Sequence, residues 1–151
     1  MTSITKAQAL KDLTQLARGE KTWADLLGLT PQTMHAIARL GCDLADMGRL
    51  EEARTIFEGL TLANPKDASA HAALGTVHQK LGRLEDAAAC YQAALAVDPH
   101  HPVALANRGE LRLMAGDAQG RADLEAAARA DPEARSPAAR RARVLVGALD
   151  T

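Results

Sequence analysis

Glycine pairs at a fixed interval place the tightest constraint on how this chain can fold. Gly41 and Gly48, Gly75 and Gly82, and Gly109 and Gly116 are each seven apart, and each pair returns after 34 residues. Pro65 and Pro99 keep that period, and Pro132 arrives one residue early. A self-similar unit of about 34 residues is the length of a helix-turn-helix repeat, which cannot bury its apolar face alone and must stack on its neighbours. A helical solenoid of this kind offers a binding surface more readily than a catalytic cleft.

The flanking segments fit the same plan. Ile4, Ala7, Leu10, Leu13, Leu16 and Ala17 recur at threes and fours, which is one helical stripe. Thr22 precedes a short apolar run that Gly28 ends, and Thr30-Pro31 reads as a helix start. The predicted organisation is an N-terminal helical extension over 1–33, repeats over 34–67, 68–101 and 102–133, and a capping helix over 134–151 that begins at Ser136-Pro137. Capping is expected because an open last repeat would leave apolar surface wet.

Within each repeat the slots have packing reasons. A first glycine suits a close approach of two helices. A second suits a turn that needs positive φ, a small residue and then an aromatic suit the facing helix, and a proline ends the unit. The first repeat supplies Ile37, Leu40, Gly41, Leu44, Ala53, Phe57 and Pro65, and the second His71, Leu74, Gly75, His78, Ala87, Tyr91 and Pro99. The third supplies Leu105, Arg108, Gly109, Arg112, Gly120, Leu124 and Pro132, in register only if one residue is missing near Asp117-Ala118. This set resembles the tetratricopeptide repeat (TPR) pattern. The expected fold is therefore all-α: a right-handed superhelical TPR solenoid of three helix-turn-helix repeats between an N-terminal helical extension and a C-terminal capping helix.

Composition narrows the function. Trp23, Phe57 and Tyr91 are the only aromatic residues, so alanine and leucine must build the core. A net charge of −1, from 18 basic and 19 acidic residues, argues against a nucleic-acid partner held by broad attraction. No stretch approaches the roughly 20 apolar residues of a membrane span, and the first turns carry Lys6, Lys11 and Asp12 instead of a secretory signal. A cytoplasmic protein without membrane insertion is expected.

The first helix of each repeat should line the concave face. Helical spacing puts His35, Ala38, Cys42 and Ala45 there from the first repeat, Ser69, Ala72, Thr76 and Gln79 from the second, and Val103, Ala106, Glu110 and Leu113 from the third. Small and mostly apolar, this surface predicts a groove for a protein or peptide with bulky apolar anchors. The competing reading is that small residues only allow tight helix packing. A carboxylate clamp needs cationic donors, whereas Ala38, Cys42, Ala73 and Val103 offer none and only Asn107 is polar, which excludes that partner class.

Catalytic residues, cofactors and metals are not expected. His71 and His78 stand about 10 Å apart at 1.5 Å per residue, too far to share a zinc at about 2 Å from each nitrogen, and they occupy packing slots. Cys42 has no histidine-carboxylate arrangement around it. Arg135, Arg140, Arg141 and Arg143 form a basic cluster that reads as a solvated face, with the docking of an acidic partner as the weaker reading.

A narrower resemblance follows from the leading helix, the three repeats and the closing helix, together with Ala53-x2-Ile56-Phe57-x2-Leu60, Leu74-Gly75-x2-His78-Gln79-x-Leu81-Gly82 and Gly116-Asp117. Over roughly Leu26 to Glu133 the chain is similar to the class II translocator chaperones of bacterial type III secretion systems. That resemblance implies a small cytosolic chaperone that keeps a secreted hydrophobic translocator soluble in its groove. It also implies a homodimer through the leading helix, whose Leu10, Leu13 and Leu16 must pack on the first repeat or on a second copy. The chain departs from those chaperones in carrying alanine and histidine on helices where they usually carry aromatics. The alternative function is a general TPR scaffold joining soluble proteins in a larger assembly.

Overall fold

The computed structural model describes residues 5–151, and among these are nine helices and no strand. Helices α1 (Lys6–Ala17) and α2 (Trp23–Leu26) precede three helical pairs. The pairs are α3 (Pro31–Asp46) with α4 (Leu50–Ala63), α5 (Ala68–Lys80) with α6 (Leu84–Val97), and α7 (Pro102–Met114) with α8 (Gln119–Ala130). Helix α9 (Pro137–Leu149) closes the stack against α8 and α7. Each helix packs on the next in chain order from α3 onward, which is the arrangement of an α-solenoid.

Local signals explain the boundaries. Thr30 and Ser136 each accept a hydrogen bond from the amide three residues on, with proline at the first helical position. Asp67 does the same for α5. Helices α4 and α6 lack such a side-chain cap, but Glu51 and Glu52, and Glu85 and Asp86, place negative charge in their first turns, where the helix dipole favours it. The turns inside the repeats sit on Gly48, Gly82 and Gly116 at φ of 77°, 75° and 78°, a region costly for any residue with a Cβ.

The first glycine of each pair is a contact point. A Cβ on Gly41 would lie 2.8 Å from Cζ of Phe57, and one on Gly75 would lie 2.6 Å from Cε1 of Tyr91. Each aromatic of a second helix therefore lies directly on the backbone of the first. The third repeat has Leu124 in the aromatic slot, and its helices come closer still. A Cβ on Gly120 would stand 2.5 Å from the carbonyl oxygen of Gly109. The missing residue is taken from the start of α8, where Asp117 Oδ1 accepts from the Gln119 amide at 2.9 Å in place of a first helical turn.

The interior divides into two joined clusters. One gathers Leu44, Ala53, Phe57, Leu60, Ala70, Leu74 and Val77 around the first repeat and α5. The other runs from Ala72 and Tyr91 through Leu105, Leu111 and Leu124 to Ala138 and Ala142 of α9. Fully buried alanines at 53, 87, 94, 104, 106, 127, 139 and 142 let the helices pack without large side chains between them.

The slots filled by Arg108 and Arg112 in the third repeat hold an ion cluster in place of apolar packing. Asp123, only 6% exposed, accepts from Arg108 Nε at 2.8 Å and Nη2 at 2.7 Å, and from Arg112 Nη1 at 2.8 Å. One buried carboxylate with three charge-assisted donors is a satisfied group, so α7 and α8 are joined by geometry as well as by apolar contact.

Candidate ligand groove

Two adjoining cavities open on the face made by α3, α5 and α7. The larger, about 640 Å³, is lined by His35, Ala38 and Cys42 of α3 and Ser69 and Ala73 of α5, with Met34 and Phe57 adding apolar surface. Ala24 of α2, Leu29 and Pro31 extend its apolar wall, and Asp25, Arg39 and Asp67 add charge to its lining. The second, about 270 Å³, is lined by Cys42, Ala45, Ser69, Ala72, Thr76 and Val103, with Asp46 and Lys80 at its edge. Cys42, Ser69, Phe57 and Ala73 border both, so the two form one continuous depression.

The other residues expected on this face have different positions. Gln79 is half-buried, and its Oε1 accepts from the Tyr91 hydroxyl at 2.8 Å. Glu110 borders a separate cavity of about 380 Å³ with Arg140, Arg141, Val144 and Leu145. Ala106 is fully buried in the cluster that includes Ala138 and Ala142, so it presents nothing to a ligand. Leu113 also departs from the expectation: its Cγ stands 2.8 Å from where a Cβ on Gly120 would lie, which places it at the α7–α8 contact. The close glycine approach draws Leu113 onto α8 and out of the groove.

Beyond the apolar depression the face becomes polar. Asn107, 4% exposed, donates through Nδ2 to the Tyr91 hydroxyl at 3.1 Å and to Thr76 Oγ1 at 3.2 Å. Arg141 of α9 donates through Nη2 to Asn107 Oδ1 at 2.7 Å and through Nε to Glu110 Oε1 at 3.1 Å. One network thus ties the second repeat, the third repeat and α9 together. Burial pushes the Tyr91 hydroxyl above its ordinary pKa, so it keeps its proton and remains a donor to Gln79. The sequence marks Thr76, Gln79, Tyr91, Asn107, Glu110 and Arg141 one by one, but no spacing joins them; Arg141 reaches Asn107 from 34 residues away.

The thiols differ. Cys42 is exposed in the depression, with its pKa raised first by partial burial and then by Asp46 and Asp43. Cys90 is half-buried, and burial pushes it to about 11. His101 caps α7: Nδ1 accepts from the Ala104 amide at 3.3 Å, and Nε2 meets Ser69 Oγ at 3.3 Å. Burial lowers its pKa, as the neutral form required for capping demands. His78 is buried and His71 bonds the Pro65 carbonyl at 2.9 Å, so both are structural.

The C-terminal arginines are committed within the chain. Arg140 Nη1 donates to the carbonyls of Ala134 and Arg135 at 3.1 and 3.0 Å. Arg143 donates to the carbonyls of Asp131 and Pro132, Arg135 pairs with Glu133, and Arg141 joins the network above. At the other end, Leu10 and Leu13 of α1 are 68% and 54% exposed, so the leading stripe is not packed on the first repeat, while Leu16 is half-buried. No helix among the described residues is long and apolar enough to cross a membrane.

Tetratricopeptide repeat models match residues 38–78 and 68–101. The chain carries tetratricopeptide repeats over residues 38–101. No curated protein matches it in sequence. Among solved structures, this TPR chain is similar to the type III secretion translocator chaperone SycD of Yersinia enterocolitica, at 22% identity and a TM-score of 0.73 over 84% of this chain and 97% of that one. It is similar to PcrH of Pseudomonas aeruginosa, solved in complex with the chaperone binding region of PopD, at 26% identity and a TM-score of 0.69 over 82% and 95%. A type III secretion complex from Aeromonas hydrophila aligns at 21% identity and a TM-score of 0.78, over 93% and 95% of the two chains. The chain therefore resembles the class II translocator chaperones.

Proposed function

We propose that this protein is a cytoplasmic type III secretion chaperone whose groove holds an apolar segment of a secreted translocator. The observation that carries the reading is the depression lined by Ala38, Cys42, Ala45, Ala73 and Val103, set in a fold shared with PcrH, solved with the chaperone binding region of PopD, and with SycD, solved with a peptide of the translocator YopD. Small side chains leave room for large ones. Each bulky apolar residue a translocator places there leaves water, at about 1.5–3 kcal/mol for full burial. A hydrophobic client with its anchors covered stays soluble and unassembled. The role is binding, with no catalytic step and no cofactor. The exposed leucines of α1 support a homodimer through that helix.

The test is co-expression with a candidate hydrophobic translocator drawn from the neighbouring genes. The expected result is a soluble complex that Cys42→Glu and Val103→Glu each weaken, because both positions border the depression without being fully buried. Ala72 and Ala106 are too buried to serve as probes, since a charge there would disturb the fold itself. A translocator that is soluble and folded alone, and that binds regardless of both charges, would favour a general scaffold instead.

A further inference from the structure

Arg39 is the arginine that lines a cavity without a carboxylate or carbonyl partner among the described residues. Ten of the chain's thirteen arginines donate to a carboxylate or a carbonyl, and Arg129 faces Glu125 at 4.0 Å; among the described residues, Arg18 and Arg39 are the arginines with neither kind of partner. Arg39 lines the larger cavity. It shares that helix face with His35 and Cys42, four and three residues away, and the adjacent Ala38 lines the same cavity.

The cavity also contains two carboxylates, Asp25 and Asp67, but both are already engaged. Asp25 accepts from the Thr22 amide at 2.7 Å and the Thr22 hydroxyl at 2.8 Å, and Asp67 Oδ1 accepts from the Ala70 amide at 3.0 Å. Each sits at a helix N-terminus, where the dipole offsets its charge. The guanidinium of Arg39 has no such compensation. The floor beneath it is apolar, made by Met34, Ala38, Phe57 and Ala73. A volume of about 640 Å³ exceeds what one small side chain fills, and lies within the range of specific ligand pockets.

Resting on the groove reading above, we propose that this cavity is a charge-selective anchoring pocket. It takes a bulky apolar side chain of the bound segment, with a carboxylate one to three residues away paired to Arg39. The occupant is thus an acidic-apolar stretch of polypeptide, and the second cavity, with Val103 and Ala45, takes a purely apolar neighbour. Because Arg39 is exposed, its pair contributes selectivity more than affinity: a preference of roughly two- to fivefold for the acidic ligand, shrinking as salt is raised.

The probe is a random dodecapeptide library displayed on phage, selected on the full-length protein and separately on Arg39→Gln and Arg39→Glu. Circular dichroism should show all three equally helical, because Arg39 touches no partner. The expected result is a consensus with a bulky apolar residue flanked by Asp or Glu for the wild type. The acidic preference should disappear for Arg39→Gln and invert to Lys or Arg for Arg39→Glu. In nitrogen-15 spectra the selected peptide should shift the amides of Ala38, Cys42 and Ala73. An apolar consensus without acidic enrichment, or one unchanged by both substitutions, overturns the charge-selective pocket and leaves the groove standing. The absence of any apolar consensus overturns both.

Discussion

One substitution should have opposite effects at two helical glycines. Gly120→Ala places a methyl 2.5 Å from the Gly109 carbonyl oxygen, 2.8 Å from Leu113 Cγ and 2.9 Å from the Leu113 amide nitrogen. Two of the three obstacles involve backbone, so no side-chain rotation relieves them. An ordinary contact needs 3.4 Å or more, so α7 and α8 must part by roughly 0.9 Å along a seam that also packs Leu111, Leu124 and Ala127. Overpacking of this kind costs about 1–3 kcal/mol, to which the loosened seam adds. Alanine's better helix propensity returns about 1 kcal/mol. The net expectation is a loss of roughly 1–2 kcal/mol, or a Tm lower by about 2–8 °C for a chain of this size. Gly59→Ala, in mid-α4 with nothing within 4 Å of the new methyl, should show only the propensity gain and raise Tm by about 2–4 °C. Thermal and urea unfolding followed at 222 nm read both. A Gly120→Ala protein as stable as the wild type would refute the reasoning, because the third repeat would then have no need of its glycine contact.

Other outcomes follow from the same structure. Asp123→Ala strips Arg108 and Arg112 of their shared carboxylate and should cost about 1–3 kcal/mol, below the fully buried case because both arginines reach solvent; urea midpoints check this. His101 has a lowered pKa, so the stability it contributes is fully present above the unfolded value near 6.5 and is lost as pH falls from there through the lower folded value. His101→Asn keeps a cap without a titrating ring and should flatten the stability curve between pH 7 and 5. Removing residues 1–20 should convert a dimer to a monomer by sedimentation; an unchanged mass would exclude the leading helix as the dimer arm. Iodoacetamide at pH 8 should modify Cys42 and spare Cys90, whose pKa of about 11 keeps it protonated, as mass spectrometry of the peptides would show.

The glycine period made the fold legible because each glycine answers a backbone demand: a positive φ at Gly48, Gly82 and Gly116, and direct contact at Gly41, Gly75 and Gly109. Such demands are local and leave a mark at fixed spacing. The groove was less legible. Ala38, Cys42 and Ser69 border cavities, but Ala106 lies under the cluster shared with α9, and Leu113 is drawn onto α8, consequences of distant packing that no helical wheel contains. The roof formed by Ala24 and Leu29 was equally hidden, since it depends on how α2 folds back over the first repeat. Arg141, His101 and the Arg108–Asp123 pair act across 34, 32 and 15 residues of sequence, where side-chain reach and not periodicity decides the partner.

The central claim is that the concave depression is where the ligand sits, and Cys42 is its natural reporter because it borders both cavities. The decisive measurement is the alkylation rate of Cys42 in the complex with the co-expressed translocator, against the free protein. Occupancy of the groove predicts a slowing of tenfold or more, reversed when Val103→Glu releases the ligand. A Cys42 that reacts as fast in the intact complex as in the free chain would place the ligand elsewhere on the solenoid.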